Sequence, residues 1–302
     1  MGEWKRVTKA DRCPICDSDS WCSIGQGVVC CMRIESTRPV KSGGWLHDFG
    51  QKPVIAISRK PRKRRESDKE LHARWAPIAR KAWRGNETAS RELACLLGVA
   101  PFALEQLCCG WNGSSWTFPE RNGYGLIVGI STRYRDGKKL CLPGSRRGLT
   151  YSESWADNPG PVLIVEGASD VAAGITLGLA TIGRPSNVGG VRYLTRLLGG
   201  HPKRRIWVIG ERDAKRHETL PAVVRAAHPM RCRGCALCWP GLHGARVVSA
   251  ALSKALNRRV RWRLLPDDAK DLRAWLLSQR IGPSENIDVY FEAGRRLTKW
   301  LG

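Results

Sequence analysis

From Gly160 onward the apolar positions fall into short unbroken runs separated by helix-length stretches of mixed character. Residues 162–165, 179–182, 205–209 and 261–265 predict strands, and residues 170–177, 190–198, 244–256 and 270–279 predict helices. Apolar strands alternating with helices imply an α/β unit whose parallel sheet is covered on both faces. Residues 215–242 break this rhythm and read as an insertion. Upstream, Leu93, Leu96, Leu97, Leu104 and Leu107 recur at helical spacing, and Leu97-Gly98-Val99-Ala100-Pro101 divides that region in two. A plain helical hairpin is preferred there over a helix-turn-helix. Residues 115–118, 125–134 and 138–142 are short alternating stretches separated by Gly, Asn and Asp, with Asp136-Gly137 as a turn signal. They predict a small antiparallel β region. The expected division is a cysteine-rich module over 1–50, a basic linker over 51–72 and a helical segment over 73–110. A β region over 111–158, the α/β domain over 159–280 and a C-terminal tail over 281–302 complete it.

Composition changes the picture in two ways. The 302 residues carry 51 Lys plus Arg against 27 Asp plus Glu, a formal net charge of +24. Such an excess points to a polyanionic partner, nucleic acid first and an anionic membrane second. The membrane is disfavoured, because no stretch approaches the roughly 20 apolar residues of a spanning helix. The N-terminus, Met1-Gly-Glu-Trp-Lys-Arg, also lacks the apolar run of a signal peptide. A cytoplasmic protein is expected. The basic run Arg59, Lys60, Arg62, Lys63, Arg64 and Arg65 reads as a solvated tether that is compatible with phosphate contact.

The 12 cysteines are clustered, which suggests metal ligation rather than a disulfide framework. Cys13-Pro-Ile-Cys16 is half of a zinc site. Cys22 and Cys31 are the chosen remaining ligands, with Cys30 and His47 as alternatives, on a hairpin turning at Gly25-Gln26-Gly27. A second set, Cys232, Cys235, Cys238 and His228, lies in the insertion and suggests another zinc, with an iron–sulfur cluster as the other reading. Cys95, Cys108, Cys109 and Cys141 are expected as small core residues. Trp21 and Trp45 are candidates for stacking on bases.

Acidic residues stand where the predicted parallel strands end. The first strand closes on Val165-Glu166-Gly167 with Asp170 opening the next helix, and the third closes on Gly210-Glu211-Arg212-Asp213. Sites in open parallel sheets lie at these carboxyl ends. Converging carboxylates need a cation, and Mg²⁺ prefers hard oxygen ligands while leaving positions for phosphates. Metal-assisted phosphoryl transfer on nucleic acid is the chemistry this suggests. The plainer reading makes these acids helix caps and surface charges, as for Asp170 alone.

Val162-Leu-Ile-Val-Glu166-Gly-Ala-Ser-Asp170 and Ile206-Trp-Val-Ile-Gly-Glu211-Arg-Asp213 resemble the two motifs of the TOPRIM domain of primases, topoisomerases and some nucleases. Leu265-Pro-Asp-Asp-Ala-Lys270-Asp271-Leu resembles the segment after the last strand in primases. The resemblance implies general acid/base or metal roles for Glu166 and Mg²⁺ (or Mn²⁺) ligation by Glu211 and Asp213, extended to Asp170 and Asp271. Two departures stand out: Glu211 where the motif usually has Asp, and the insertion before Gly241-Leu-His-Gly244-Ala.

A zinc ribbon followed by TOPRIM is similar to the order in primases of bacteria and T7-like phages. In that light Lys138, Lys139, Arg146 and Arg147 resemble a basic, glycine-bearing segment of the primase core, and they are expected to hold nucleotide or template phosphates. The function so implied is a DNA-directed RNA polymerase of primase type. It would use single-stranded DNA and ribonucleoside triphosphates, and a separate replicative helicase as partner. The alternatives are a TOPRIM nuclease and a catalytically weak or inactive primase-related DNA-binding protein.

Overall fold

The computed structural model describes residues 4–41, 43–48, 66–213, 225–226, 235–281 and 286–302. The basic run over 59–65, and His228 and Cys232 of the second cysteine set, lie outside these residues. The chain divides into two compact units, one of residues 1–65 with 214–239 and one of residues 66–213 with 240–302.

The first unit is organised by a four-stranded antiparallel sheet: β1 (Lys5–Arg6), β2 (Ser23–Gly25), β3 (Val28–Cys31) and β4 (Trp45–Asp48), in that spatial order. Gly25 pairs with Val28, so the β2–β3 turn is the two residues Gln26-Gly27, and Gly27 takes φ +71°. Only glycine enters that region without steric cost. The core is small: Val7 and Val29 pack with four buried cysteines. Few other apolar side chains are available to such a module. Residues 235–239 of the same unit carry Cys235 and Cys238, the latter buried beside Ile34.

The second unit begins with helices α1 (Asp68–Trp83), α2 (Glu87–Leu97) and α3 (Pro101–Gln106). Ser67 and Glu70 form a reciprocal capping box that starts α1. Leu71, Trp75 and Ala79 then face Ile127, Val128 and Ile130. Gly98, at φ +65°, stops α2, and Pro101 opens α3 where its missing N–H costs nothing. The leucine-spaced stretch is thus divided in two at Gly98–Pro101, and α1 is a further helix before it. The buried face of α2 is Ser90, Leu93, Ala94 and Leu97. Leu96 and Cys95 fall on its outer side and are exposed. The expectation of a buried Cys95 is corrected on that ground. Cys109 is buried, and Cys108 and Cys141 are half-buried.

An antiparallel sheet follows, of β5 (Gly110–Trp111), β6 (Trp116–Arg121), β7 (Ile127–Arg133) and β8 (Lys139–Cys141), in sequence order. The main sheet contains β9 (Thr150–Tyr151), β10 (Val162–Glu166), β11 (Ala180–Arg184), β12 (Ile206–Gly210) and β13 (Arg261–Leu264). Its order is β13-β12-β10-β11-β9; the first four strands are parallel and β9 runs antiparallel along β11. The fold is thus α/β with a parallel sheet, preceded by a small β region, helices and a cysteine cluster, as the apolar pattern implies.

Side chains alternate across each strand. Leu163 and Val165 of β10, with Trp207 and Ile209 of β12, face α4 (Ala168–Thr176), α7 (Leu272–Ser278) and α8 (Ile287–Leu301). Val162, Ile164, Ile206 and Val208 face the other way, onto α5 (Val191–Gly199) and α6 (Pro240–Leu256). Helix α6 starts four residues before the apolar pattern predicts, at a proline that suits a first helical turn. The residues set apart as a C-terminal tail contain α8, whose Tyr290, Ala293, Leu297 and Leu301 join the core. Gly294 lets α8 approach the end of α4: a Cβ there would collide with the Leu177 backbone carbonyl. Gly294→Ala is expected to destabilise the second unit by about 1–3 kcal/mol through overpacking. Chemical denaturation, read as a lower midpoint with an unchanged slope, checks this.

Candidate functional site

Three elements bring acidic side chains to the carboxyl ends of the central strands. Glu166 is the last residue of β10, which lies between β11 and β12. Asp170 sits in the first turn of α4, almost fully buried, and its Oδ1 accepts from the Arg273 backbone N–H at 3.0 Å. Glu211 and Asp213 follow β12, which ends at Gly210. They are therefore beyond the strand, and strand alternation is not what directs them. Asp213 is fixed instead by α6: its Oδ1 accepts from the Gly241 N–H at 2.9 Å. A Cβ at Gly241 would stand 2.8 Å from Glu211 Cβ and 2.9 Å from Asp213 Oδ1, so only glycine fits against this turn. The insertion thus leaves after Asp213 and returns to a glycine touching the same two acids. Asp271 caps α7 by accepting from the Ala274 N–H at 2.8 Å.

The electrostatics show that these groups sense one another. Burial pushes the Glu211 carboxyl up to about 7, with further upward pressure from Glu166, Asp271 and Asp213, opposed by Lys270. Asp170 is pushed up to about 8, chiefly by burial and then by Asp271. Glu166 is also raised, by burial first; Arg184 pulls it down, and Asp213 pushes it up. Like charges gathered in a low-dielectric rim hold protons unless a cation replaces them. Hard carboxylate oxygens from Asp170, Glu211, Asp213 and Asp271 fit Mg²⁺.

Cations border the acids. Arg184, which the sequence reading did not single out, ends β11 directly beside Glu166 in register. It is fully buried, with Nη2 3.9 Å from Glu166 Oε2 and 3.4 Å from the Ile209 carbonyl, and Nη1 donating to the Asn187 carbonyl. Burial lowers its pKa, while Glu166 and Glu211 raise it. Nothing in the local sequence distinguishes Arg184 from other arginines; the register opposite Glu166 does. Arg147 grips the buried Glu120 carboxylate at 3.0 Å and donates to the Pro185 carbonyl at 2.7 Å. Lys139, exposed in area yet crowded by charge, has its pKa lowered first by desolvation and then by Arg133, while Asp170 and Glu211 pull it back up. Lys138 is exposed at the β7–β8 turn. Arg146 is engaged elsewhere, donating to Asp68 and to the Glu66 carbonyl. Arg133, Lys139, Arg147 and Arg184 line a pocket of about 80 Å³ with Ser169 and Gly167.

In the other unit, the sulfur atoms of Cys13, Cys16, Cys22 and Cys31 all lie within 4.8 Å of one another, and all four residues are buried. Among the described residues no other group of three or more ligand side chains is so tightly gathered. Backbone N–H groups are aimed at the sulfurs: Met32 at Cys22 (3.4 Å), and Arg33 and Ile34 at Cys31 (3.4 and 3.2 Å). Hydrogen bonding from Cys16 and these amides lowers the Cys31 pKa, whereas burial pushes Cys13 up to about 11. Tetrahedral thiolate ligation of Zn²⁺ fits this donor set. Cys30 is only half-buried, and His47 Nε2 is 3.0 Å from the Ile34 carbonyl. In the second set, Cys235 Sγ accepts from the Cys238 N–H at 3.3 Å; the other two expected ligands lie outside the described residues. Trp21 is 69% exposed and Trp45 half-buried.

No protein-family model and no curated protein matches the chain. Among solved structures, it is similar to a DnaG primase catalytic domain bound to single-stranded DNA, with 15% identity over 76% of this chain and 81% of that one, TM-score 0.49. It is likewise similar to the E. coli primase catalytic core (16% identity, 74% and 79% covered, TM-score 0.45). The zinc-binding and RNA polymerase domains of Aquifex aeolicus primase are a third similar structure (13% identity, 78% and 62% covered, TM-score 0.49). Among the described residues no helix is long and apolar enough to cross a membrane.

Two outcomes follow from the geometry. Cys16→Ser is expected to lose one equivalent of zinc and to open residues 4–48 to protease while residues 66–213 stay protected, because the metal substitutes for a core. Zinc content and mapping of the cleavage sites check this. The raised Glu211 pKa gives the second. Its folded form keeps a proton up to about pH 7, whereas the unfolded form releases it near the ordinary carboxylate value. That contribution to stability is present in acid and lost as pH rises through about 7. In chelator, melting temperature is expected to fall over this range, less steeply in Glu211→Gln, and Mg²⁺ is expected to raise it more at about pH 8 than at about pH 6.

Proposed function

We propose that this chain is a primase-type nucleotidyltransferase that makes short RNA primers on single-stranded DNA. The observation that carries the reading is the placing of Glu166, Asp170 and Glu211, each raised first by burial and then by a neighbouring carboxylate, at the carboxyl ends of the central strands, beside the cations of the Arg184–Arg147–Lys139 pocket. An acidic rim alone suits any divalent cation. An acidic rim against a wall of arginine and lysine suits a phosphate substrate that brings its own negative charge. The formal net charge of +24 supports a nucleic-acid substrate.

In the proposed reaction the primer 3′-hydroxyl oxygen bonds to the α-phosphorus of the incoming ribonucleotide. The bond to the β-phosphate oxygen breaks, and pyrophosphate leaves. Glu166 is the proposed acceptor of the hydroxyl proton. Burial raises its pKa, which makes it a stronger proton acceptor than an ordinary carboxylate. Arg184 positions it from the adjacent strand. Lys139, Arg147 and the exposed Lys138 meet the triphosphate by charge. Asp170, Glu211, Asp213 and Asp271 are the proposed ligands for Mg²⁺ or Mn²⁺, which would supply charge neutralisation at the phosphates. A zinc module on the template and a separate replicative helicase complete the proposed setting.

The test is incubation with single-stranded DNA, labelled ribonucleotides and Mg²⁺. New RNA of a few nucleotides is expected, and Glu166→Gln is expected to reduce it at least 100-fold, the low end of about 10²–10⁴ for lost acid–base catalysis, while leaving salt-sensitive DNA retention intact. Shortened DNA without RNA would replace the reading by a nuclease, and retention without any product by a non-catalytic DNA-binding protein.

A further inference from the structure

The free edge of the main sheet carries a second cluster of chemistry that the acidic rim does not use. Strand β13, Arg261-Trp262-Arg263-Leu264, pairs only with β12 among the described residues. Arg261 and Arg263 place their guanidinium carbons 5.3 and 5.5 Å from the centre of the Trp207 ring. Arg263 also lies 4.2 Å over Trp300 and donates to its carbonyl. On the opposite side of the strand Arg246 stands 4.8 Å over Trp262. Arg259, Arg261, Trp262, Arg263 and Trp207 border a groove of about 460 Å³ whose lining contains no acidic residue. None of Arg246, Arg259, Arg261 and Arg263 forms an ion pair with a described acid.

We propose that this edge is a binding track for a single strand of nucleic acid, separate from the carboxylate rim. A guanidinium held by cation–π attraction near an indole is steadied there, and its uncommitted N–H donors can meet a phosphate. Arg259 and Arg261 supply those donors, Arg263 is positioned by Trp207 and Trp300, and Trp262, 37% exposed, offers a ring to a base. Other occupants fit less well. A second copy pairing along the same edge would oppose arginine to arginine. An anionic lipid surface would call for apolar side chains protruding from the groove itself, whereas Trp207 and Leu301 are buried there and Trp300, 37% exposed, carries the Arg263 guanidinium over its ring.

The track also has a direction. Trp207 lies four residues before Glu211, so about 13 Å of extended chain, at about 3.3 Å per residue, separates the groove from the rim. The proposal draws on the edge's own chemistry and does not require the acids to catalyse anything.

The test is binding of a fluorescent oligo-dT to the full chain, followed by anisotropy over a range of salt. The double charge reversal Arg259→Glu, Arg261→Glu is expected to weaken binding at least tenfold. It is also expected to lower the slope of log affinity against log salt by about 1.4, at about 0.7 per lost phosphate contact. Trp262→Ala is expected to weaken binding about fivefold or more, and Trp262→Phe to restore most of it. Arg259→Ala, at an exposed position, provides a milder variant with the same sign. Unchanged affinity and slope in the double variant overturn the proposal. So does arginine-dependent binding to phosphatidylserine vesicles in place of oligo-dT, or an arginine-dependent dimer in sedimentation. Glu166→Gln is expected to bind as wild type does. If the unsubstituted chain makes no primer yet keeps arginine-dependent binding, the proposed activity falls and this track stands.

Discussion

Repulsion among carboxylates is the constraint around which the second unit is built. A parallel sheet sends every strand's carboxyl end to one rim. With β10 beside β12, Glu166 and Glu211 are forced toward each other there, and α4 and α7 add Asp170 and Asp271. Left alone, such a rim would splay. Several contacts oppose this: Arg184, buried under Glu166 and tied to two backbone carbonyls, and backbone N–H groups from Gly241, Arg273 and Ala274 that hold individual oxygens. What they leave uncompensated is the raised proton affinity of three acids, set first by burial and then by their carboxylate neighbours.

The glycines at this rim are part of the same solution. Gly210 faces Ala245 at 3.1 Å for an added Cβ, Gly241 faces Glu211, and Gly244 faces the Asn187 backbone. Helix α6 can therefore lie against the strand end closely enough for its first turn to hold Asp213. Asn187 answers by donating to the Pro240 carbonyl at 3.2 Å. Close packing at a polar site is paid for here with missing side chains rather than with strained ones.

Much of this was readable before any coordinates. Continuous apolar runs such as Val162–Val165 belong to strands buried on both faces, and their spacing with helices implies a parallel sheet. Cys13, Cys16, Cys22 and Cys31 were a matter of ligand spacing. Other features were not legible, for definite reasons. Arg184 acts through strand register, a long-range property absent from local pattern. The Arg–Trp edge joins residues from β12, α6, β13 and α8, which are far apart in the chain. Leu96 keeps helical spacing with its neighbours yet faces solvent, because periodicity reports a face's angular width more loosely than its centre. Helix α8 is amphipathic over 15 residues but follows a segment without a clear strand, so the alternation that organised its predecessors no longer pointed to it.

The hydrogen bond between Asp213 and the Gly241 amide closes a chain excursion at its own base. With the two ends held together, lengthening such an excursion adds only a logarithmic entropy cost. The anchor of Asp213 therefore sits at the mouth of the excursion, in the helix that resumes the domain, and not in the residues the excursion contributes to the cysteine-rich unit.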